Sequence, residues 1–268
     1  MPARSSYPEG APCWADLIAP DLDAAKRFYT AVMGWQYEDN GADHGHYTMC
    51  LARGGKPVAA LMPPPPGMEG MPPVWNVYFA TPDVGATLMR VETAGGKPAM
   101  GPQPVPGAGT MGFAVDPQGA AFGLWQAEQH LGAALWAEPG ALCWNQLDTT
   151  AGQEADDFYR AVFGYADQQQ IGDGTQFDYS VWNVAGEQPA QVAGRWKVPA
   201  GQLPAGGPAW SAFFTVADCD KAAASTAELG GKVLQGPDES PYGRTAMISD
   251  PSGALLRISA LPERAPGA

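Results

Sequence analysis

The sequence predicts an α+β protein made of four β-α-β-β-β units that form two similar modules. The first observation behind this prediction is a duplication, since residues 10–37 return with substitutions as residues 140–165, and Trp14 matches Trp144. A repeat of this length indicates two copies of one structural module. The second observation is that each module divides again into two halves with the same order of apolar runs, helix caps and turns. A chain of 268 residues is long enough for two such domains.

The first unit begins with an apolar run, Cys13–Ala19, that is typical of a buried strand. A helix follows, because Asp21 can cap its start and Gly34 can end it. Apolar residues recur at helical spacing and predict one buried face, formed by Leu22, Ala25, Phe28, Tyr29 and Val32. Two short strands, Tyr47–Leu51 and Val58–Leu61, complete the unit.

The second unit repeats this plan with a strand at Val74–Ala80 and a helix that Asp83 caps. Its last two strands are joined by an Asp-Pro-x-Gly turn at residues 116–119. The second module copies both features, with Asp218 as a helix cap and the matching turn at residues 250–253. The aspartates of the two turns have a sufficient structural role as turn formers.

The pattern also predicts the domain boundaries. Segments rich in proline and glycine, at residues 62–73 and 197–208, are expected to connect the two halves of each module. The predicted divisions are an N-terminal tail at 1–9, module 1 at 10–128, a linker at 129–139, module 2 at 140–262 and a C-terminal tail at 263–268.

Composition and charge exclude several classes of function. The formal net charge of −13 argues against nucleic acids or anionic membranes as partners, since both require a cationic surface. No stretch has the length and apolarity of a signal peptide or a membrane span. The four cysteines form no CxxC pair, and the repeated Cys13 and Cys143 are expected to be buried thiols. These features predict a cytoplasmic protein. Because two tandem modules can pair within one chain, we expect a monomer or a homodimer.

The arrangement resembles the vicinal oxygen chelate superfamily, which includes glyoxalase I, bleomycin-resistance and fosfomycin-resistance proteins, and extradiol dioxygenases. Each feature that carries the resemblance has a counterpart in module 2. In module 1 these features are Pro20-Asp21, Phe28-Tyr29, Gly34-Trp35, Asp83, Gly95-Gly96-Lys97 and the turn at 116–119. The resemblance implies two glyoxalase/bleomycin-resistance-like modules. The chain looks similar to tandem actinobacterial proteins of this superfamily that are described as glyoxalase-like or as hydroxylases.

The resemblance also implies where a metal would be held. In catalytic members one ligand lies on the first strand, seven residues before the helix cap, and one lies at the same place before the second helix. A carboxylate lies on the last strand, seven residues after the aspartate of the turn. These positions hold Trp14, Asn76 and Gly123 in module 1 and Trp144, Ser211 and Arg257 in module 2. Divalent ions require several oxygen, nitrogen or thiolate donors, so we expect no metal and no other cofactor.

Two interpretations of Trp14 and Trp144 stay open. In the first, each indole fills the volume that a metal site would take, and Gly123 opposite Trp14 leaves room for a large ring. In the second, the indoles form a stacking wall for a flat ligand. The bulky Arg257 beside Trp144 favours the second interpretation in module 2.

Asp16 and Asp148 lie on the same strand faces as Trp14 and Trp144, because side chains alternate along a strand. A carboxylate on an inner face is costly unless it is paired or hydrated. Arg257 is a candidate partner for Asp148, either in an internal ion pair or in catalysis. Asp16 has no obvious cation and is the better candidate for a ligand contact or a general base. In a metal-free enzyme, Asp16 or Asp148 would act as the base and Arg257 would stabilise an enolate or carboxylate.

Strand parity predicts further inward side chains. Apolar walls with a few polar groups are typical of a small-molecule cavity, and they are also typical of an ordinary sheet interior. The predicted ligand-binding residues are Trp14, Asn76, Tyr78, Trp125, Trp144, Gln146, Ser211 and Phe213.

The histidines give little support for chemistry. His44 and His46 are interpreted as exposed hairpin residues, and module 2 has Gln176 and Asp178 near the equivalent places. His130 lies in the linker, where we expect no chemical role.

The sequence therefore predicts a metal-independent protein that binds a bulky, partly aromatic small molecule, an antibiotic or a metabolite, in a sheet-lined cavity. An enzyme of the same superfamily is the alternative, with a metal-free hydroxylase or lyase activity in secondary metabolism. A divalent-metal lyase or dioxygenase with relocated ligands is a weaker alternative. A scaffold with collapsed cavities that acts through protein partners is a third possibility.

Overall fold

The structure, a computed structural model, describes residues 6–165, 168–172, 177–184 and 190–262. Within these residues the chain forms two eight-stranded sheets and four α-helices. Each half of each sheet follows the order strand, helix and three strands, so the predicted α+β class and the four β-α-β-β-β units are confirmed. Gln176, residues 1–5 of the predicted N-terminal tail and the predicted C-terminal tail lie outside the described residues.

The bounds of the elements are as follows. Module 1 contains β1 (Pro12–Ile18), α1 (Leu22–Met33), β2 (Gln36–Asp39), β3 (Thr48–Ala52), β4 (Lys56–Met62), β5 (Val74–Ala80), α2 (Val84–Thr93), β6 (Lys97–Val105), β7 (Gly109–Val115) and β8 (Ala121–Ala127). Module 2 contains β9 (Leu142–Thr149), α3 (Gly152–Phe163), β10 (Gln168–Ile171), β11 (Tyr179–Val184), β12 (Ala190–Lys197), β13 (Ala209–Thr215), α4 (Cys219–Glu228), β14 (Lys232–Ser240), β15 (Gly243–Ser249) and β16 (Leu255–Ala260).

The two sheets have the same strand order. In module 1 it is β2-β3-β4-β1-β5-β8-β7-β6, and in module 2 it is β10-β11-β12-β9-β13-β16-β15-β14. The first strands of the two halves pair antiparallel at the centre, with Trp14 opposite Tyr78 and Asp16 opposite Asn76. The edge strands β2 and β6 had no apolar run that could predict them, because nearly all of their residues are exposed or half-buried.

The helices begin and end where the sequence predicts. The Asp21 side chain accepts a hydrogen bond from the Ala24 amide at 2.9 Å, and Asp83 and Asp218 cap α2 and α4 in the same way. Gly34 ends α1 in the left-handed region, with φ of 74°, which favours glycine because it has no Cβ. These local interactions set the ends of the helices that carry them, whereas α3 begins after Ala151 without a side-chain cap.

The main core lies between the two modules. Helix α1 of module 1 packs against α4 of module 2, and α3 packs against α2. Trp35 is buried there, with its ring 5.3 Å from that of Phe214 and its indole nitrogen donating to the Gly140 carbonyl at 2.7 Å. Both modules therefore bury the helix-bearing faces of their sheets against each other.

A pair of crossed hydrogen-bond relays joins the modules. Tyr159 of α3 donates to Asp116 of module 1 at 3.2 Å and accepts from the Trp210 indole at 2.9 Å. The equivalent Tyr29 donates to Asp250 of module 2 at 3.2 Å. The aspartates of the Asp-Pro-x-Gly turns thus have a second role that the sequence did not indicate, since their second oxygen accepts a hydrogen bond from a tyrosine of the other module.

Replacing Tyr159 by phenylalanine is expected to lower the free energy of unfolding by about 1–3 kcal/mol, because the buried Asp116 and Trp210 side chains each lose a partner. Chemical denaturation of the variant measures the change. Tyr242→Phe is the control, since the Tyr242 side chain is exposed, and we expect less than about 0.5 kcal/mol there. An unchanged midpoint in Tyr159→Phe would show that the relay contributes nothing to stability.

The cysteines and the helices bear on two expectations from the sequence. All four cysteines are free; Cys13 is buried as predicted, whereas Cys143 is half-buried, and each of these two thiols lies near a strand carbonyl. In the part of the chain that the structure describes, no helix is long and apolar enough to span a membrane.

Candidate functional site

The predicted site residues lie on the face of each sheet that points away from the inter-module core. In module 1, Trp14, Tyr78 and Trp125 form an apolar cluster separate from that core. These three residues lie on neighbouring strands, because Trp14 pairs with Tyr78, and Tyr78 pairs with Gly123 of the strand that also carries Trp125. In module 2 the same row holds Trp144, Phe213 and Arg257. Although these surfaces point away from the inter-module core, we call them the inner faces of the modules, because they carry the side chains that strand parity predicted to point inward.

In module 1, Asp16 is the centre of a buried polar network. One carboxylate oxygen accepts from the Asn76 amide at 2.9 Å. The other accepts from the hydroxyls of Tyr78 at 2.8 Å and Tyr47 at 3.1 Å. Burial raises the pKa of Asp16, and the three hydrogen bonds oppose this shift. Both oxygens are occupied, which leaves little capacity for Asp16 to act as a general base.

The sequence suggested that Trp14 fills the space above Gly123, and this prediction is wrong. A Cβ built on Gly123 would overlap the ring of Tyr78, so Tyr78 occupies that space. The Trp14 indole instead donates to the Tyr47 hydroxyl at 2.8 Å. Trp14, Tyr78 and Trp125 are all buried. The inner face of module 1 is therefore largely filled by its own aromatic side chains.

His130 has a place in this cluster that its linker position did not indicate. Its ring lies 4.5 Å from Trp14 and 5.6 Å from Trp125, and its carbonyl accepts from the Trp125 indole at 2.8 Å. Its Nε2 atom is buried and has no hydrogen-bond partner among the described residues. Burial lowers the pKa of His130 to about 4. The linker thus covers part of the inner face of module 1 with a neutral imidazole.

This burial predicts a pH dependence of stability. Below about pH 6.5 the unfolded chain binds a proton at His130 that the folded chain does not, so stability is lost as the pH falls from 6.5 towards 4. Relative to His130→Gln, we expect the wild type to lose about 1–3 kcal/mol between pH 7 and pH 4. Urea unfolding at both pH values measures this difference. The exposed His44 supplies the control, because His44→Gln should leave the pH profile of the wild type unchanged.

In module 2, Asp148 and Arg257 form an ion pair. The Arg257 Nη2 atom donates to Asp148 at 3.0 Å, and both side chains are at most 12% exposed. Asp148 also accepts from Gln146 at 2.5 Å and from Ser211 at 3.2 Å. The ion pair that the sequence predicted is present. Its three donors stabilise the carboxylate and favour a positioning role for Asp148.

Asp148 is not the counterpart of Asp16. Asp16 pairs with Asn76 across the central strands, and the residue that pairs with the equivalent Ser211 is Gln146. Asp148 lies two residues further along β9, opposite Ala209. The two modules therefore place their carboxylates at different positions along the first strand of the module.

Aromatic side chains surround Arg257. Its guanidinium carbon lies 5.3 Å from the centre of the Phe213 ring and 5.9 Å from that of Trp196, within the range of cation–π contacts. The Trp144 indole donates to the Tyr179 hydroxyl at 2.8 Å. Unlike Trp14 and Tyr78 in module 1, these residues are half-buried. The side chains on the inner face of module 2 are therefore partly exposed to solvent.

Three side chains beside the predicted site residues were not identified by the sequence analysis, namely Tyr47, Tyr179 and Trp196. Tyr47 and Tyr179 occupy the same place in the repeat, since each accepts from the tryptophan of its module. Applying strand parity to β3 and β11, as was done for the central strands, would have identified both tyrosines. The histidines His44 and His46 are exposed as predicted, and His46 contacts Asp39 at 3.0 Å.

The donor chemistry of both inner faces does not fit a divalent metal. The positions that correspond to metal ligands hold Trp14, Asn76 and Gly123 in module 1 and Trp144, Ser211 and Arg257 in module 2. None of these is a histidine, cysteine, aspartate or glutamate, and the last of them carries the guanidinium that pairs with Asp148. A cation fixed at this position by Asp148 would repel a second cation. Among the described residues there is no group of three or more histidine, cysteine, aspartate or glutamate side chains that could hold a metal ion.

A cleft of about 440 Å³ lies between the N-terminal segment and the ends of β5 and β8. It touches the apolar cluster on the inner face of module 1 through Ala80 and Trp125. Its other lining residues are Ser6, Tyr7, Glu9, Thr81, Pro82, Gln126, Ala127 and Leu131. The cleft does not reach the half-buried residues of module 2, so it is separate from the candidate site there.

Comparison with protein families gives two matches along the chain. The model of the Glyoxalase/Bleomycin resistance protein/Dioxygenase superfamily matches residues 13–124 and 149–258. These two ranges fall on the two modules.

Two relatives are similar over nearly their whole length. The protein CFP32 of Mycobacterium tuberculosis, whose name assigns it provisionally as a glyoxylase, is 41% identical over 262 residues, which cover 96% of this chain and 97% of the relative. The anthracycline biosynthesis protein DnrV of Streptomyces peucetius is 39% identical over 277 residues, which cover 98% of this chain and 97% of the relative.

Solved structures show the same fold at low sequence identity. The Mn(II)-bound glyoxalase from Novosphingobium aromaticivorans is 19% identical with a TM-score of 0.62, and the match covers 94% of this chain and 82% of that one. A variant of homoprotocatechuate 2,3-dioxygenase from B. fuscum is 16% identical with a TM-score of 0.64, covering 97% of this chain and 72% of that one.

Proposed function

Because this chain belongs to the glyoxalase/bleomycin resistance protein/dioxygenase superfamily, we propose that it is a metal-independent member that binds a bulky, partly aromatic small molecule. The ligand, an antibiotic or a metabolite, binds on the inner face of module 2. The observation that carries this proposal is the Arg257–Asp148 ion pair, with Phe213 and Trp196 beside the guanidinium. The resemblance to catalytic members implies a metal ligand at the position of Arg257, and a guanidinium has no acceptor atom that could bind a metal.

The difference between the modules supports module 2 as the binding site. Trp14 and Tyr78 are buried in module 1, whereas Trp144 and Phe213 are half-buried in module 2. A flat ligand gains stacking area only from rings that it can reach. Module 1 then has a structural role, with His130 and the linker covering its inner face.

The name of one relative agrees with a ligand of this kind. DnrV is named for anthracycline biosynthesis, and anthracyclines are bulky and partly aromatic. Sequestration of such a molecule requires shape, aromatic walls and a few orienting polar groups. The half-buried side chains of module 2 supply the aromatic walls and the orienting polar groups.

Fluorescence titration tests the proposal. Saturable quenching of tryptophan fluorescence by members of a panel of anthracyclines and other aromatic polyketides is expected, and it should persist in EDTA. Trp144→Phe should reduce the quenching amplitude, whereas the matched Trp14→Phe should not. Stoichiometric iron, zinc or manganese in the purified protein, or binding that EDTA abolishes, would overturn metal independence. No response to any ligand of the panel would count against the binding function.

An enzyme of the same superfamily is the second candidate, and the environment of Asp16 is the observation that favours it. Asp16 is a buried carboxyl with a raised pKa, and it lies between the hydroxyls of Tyr47 and Tyr78. Such a group can move a proton if a ligand displaces one of its partners. Ligand binding that survives Asp16→Asn while turnover is lost would favour the enzyme. Turnover that depends on Asp148 or Arg257 instead would place the reaction in module 2.

A further inference from the structure

We infer that the inner face of module 2 selects uncharged aromatic molecules that carry carbonyl oxygens, and that Arg257 and Tyr179 donate hydrogen bonds to those oxygens. The inference rests on the proposed function, because it names the chemical class of ligand for the same face. It adds two donors that determine specificity, Arg257 and Tyr179. Tyr179 does not lie at any position that corresponds to a metal ligand.

Module 1 serves as the reference for the first donor. Tyr47 and Tyr179 each accept a hydrogen bond from the tryptophan of their module, at 2.8 Å in both cases. The Tyr47 hydroxyl in turn donates a hydrogen bond to Asp16. The residue equivalent to Asp16 in module 2 is Gln146, and the described residues provide no acceptor for the Tyr179 hydroxyl. Burial raises the pKa of Tyr179 to about 12, so at neutral pH its proton remains available to a ligand.

The second donor is the Arg257 guanidinium. Its Nη2 atom is bound to Asp148, while Nε and Nη1 have no acceptor within the described part of the chain. Nε is enclosed by protein, whereas Nη1 is not among the enclosed atoms. A guanidinium carries five N–H donors, and a site that leaves some of them unused is set up for an acceptor from outside. In module 1 the equivalent position is Gly123, which has no donor to offer.

Both donors lie beside flat rings. Arg257 is flanked by Trp196 and Phe213. The Tyr179 ring stacks on Phe177 at 6.0 Å, with only 7° between the ring planes. An aromatic ligand can therefore stack on these rings while its oxygens receive the hydrogen bonds.

The charge balance indicates an uncharged ligand. Asp148 already neutralises Arg257, so an anionic ligand would leave an extra negative charge on a half-buried face. The formal net charge of −13 adds long-range repulsion of anions. A carbonyl oxygen accepts hydrogen bonds without bringing charge, and a quinone or an aryl ketone meets this requirement.

Equilibrium dialysis of the full chain with three probes tests the inference. The probes are anthracene, which has no oxygen; 9,10-anthraquinone, which has two carbonyls on the same ring frame; and anthraquinone-2-carboxylate, which adds a negative charge. We expect anthraquinone to bind at least tenfold more tightly than anthracene and more tightly than the carboxylate. Tyr179→Phe should reduce the preference for anthraquinone over anthracene severalfold. The matched Tyr47→Phe should leave the preference unchanged.

Arg257 is tested in a variant that removes both charges together, Arg257→Met with Asp148→Asn, so that no unpaired carboxylate remains. Loss of the anthraquinone preference with anthracene binding retained would support the inference. Equal binding of anthracene and anthraquinone to the wild type, or tighter binding of the carboxylate, would overturn it while leaving the proposed function intact. Failure of all three probes and of the polyketide panel would overturn the proposed function itself.

Discussion

Replacing Arg195 by leucine is expected to lower the free energy of unfolding by about 3–5 kcal/mol, because it leaves a buried carboxylate without its cation. Arg195 is only 2% exposed and bridges Asp156 of α3 and Asp178, which precedes β11. Asp156 is also 3% exposed and accepts from the Trp182 indole at 2.8 Å. Equilibrium denaturation in urea measures the loss.

A second variant separates the ion pair from simple packing. In module 1 the positions equivalent to Asp156 and Arg195 are Lys26 and Leu61, so that module folds without this buried pair. Arg195→Leu combined with Asp156→Asn removes both charges of the buried pair and keeps an acceptor for Trp182. It leaves Asp178, which is more exposed and lies 3.9 Å from the Lys197 ammonium. It should recover about 1–2 kcal/mol relative to Arg195→Leu alone. A double variant as unstable as the single one would show that packing of the arginine side chain dominates.

The single substitution Arg195→Leu is also expected to affect ligand binding. Arg195 lies on β12 between Gly194 and Trp196, and its ion pairs tie this strand to β11 and α3 on the side opposite the inner face. Since β11 and β12 carry Tyr179 and Trp196, loosening them should weaken ligand binding at temperatures where the protein is still folded. Binding of unchanged affinity in Arg195→Leu would show that the inner face does not depend on this support.

Replacing Gly194 by alanine is expected to reduce ligand affinity at least tenfold. A Cβ built on Gly194 would overlap the Tyr179 hydroxyl, so the tyrosine must swing away from Trp144 and from the inner face. We also expect a loss of about 1–3 kcal/mol in stability from the overpacked site. Fluorescence titration at a temperature where the variant remains folded measures the affinity.

Gly123→Ala in module 1 is the matched control for this change. Its Cβ would overlap the Tyr78 ring, so it causes a similar steric conflict in the other module. Stability should fall by a comparable amount while ligand affinity stays within about twofold. Equal losses of affinity in both variants would indicate that binding depends on the whole fold rather than on the inner face of module 2. Gly207→Ala, where the added Cβ meets no atom within 4 Å, should alter neither property.

Much of the fold could be predicted because its signals are local. A capping aspartate such as Asp83 and a left-handed glycine such as Gly34 act within one turn of the chain. The edge strands β6 and β14 were harder to predict, since most of their residues are exposed and carry no alternating pattern. The buried pair of Arg195 and Asp156 gave no signal at all, because the two residues are brought together by the packing of a helix on a sheet.

The candidate site was predictable in outline only. Strand parity placed Trp14, Asp16 and Tyr78 on one face, and it indicated the ion pair of Asp148 with Arg257. Parity says nothing about which ring fills a given space, so Gly123 was assigned to the wrong partner.

The sequence by itself determined the duplication, the four structural units and the absence of metal-ligand residue types at the positions that correspond to a metal site, because these follow from residue identity and spacing along the chain. The tertiary structure alone decided that module 1 is filled and covered by His130 while the side chains of module 2 remain half-buried. Accessibility depends on where linkers and neighbouring strands place their side chains, and those contacts join residues far apart in the sequence. It also decided that the repeated tyrosines differ, since Tyr47 has the acceptor Asp16 and Tyr179 has none among the described residues.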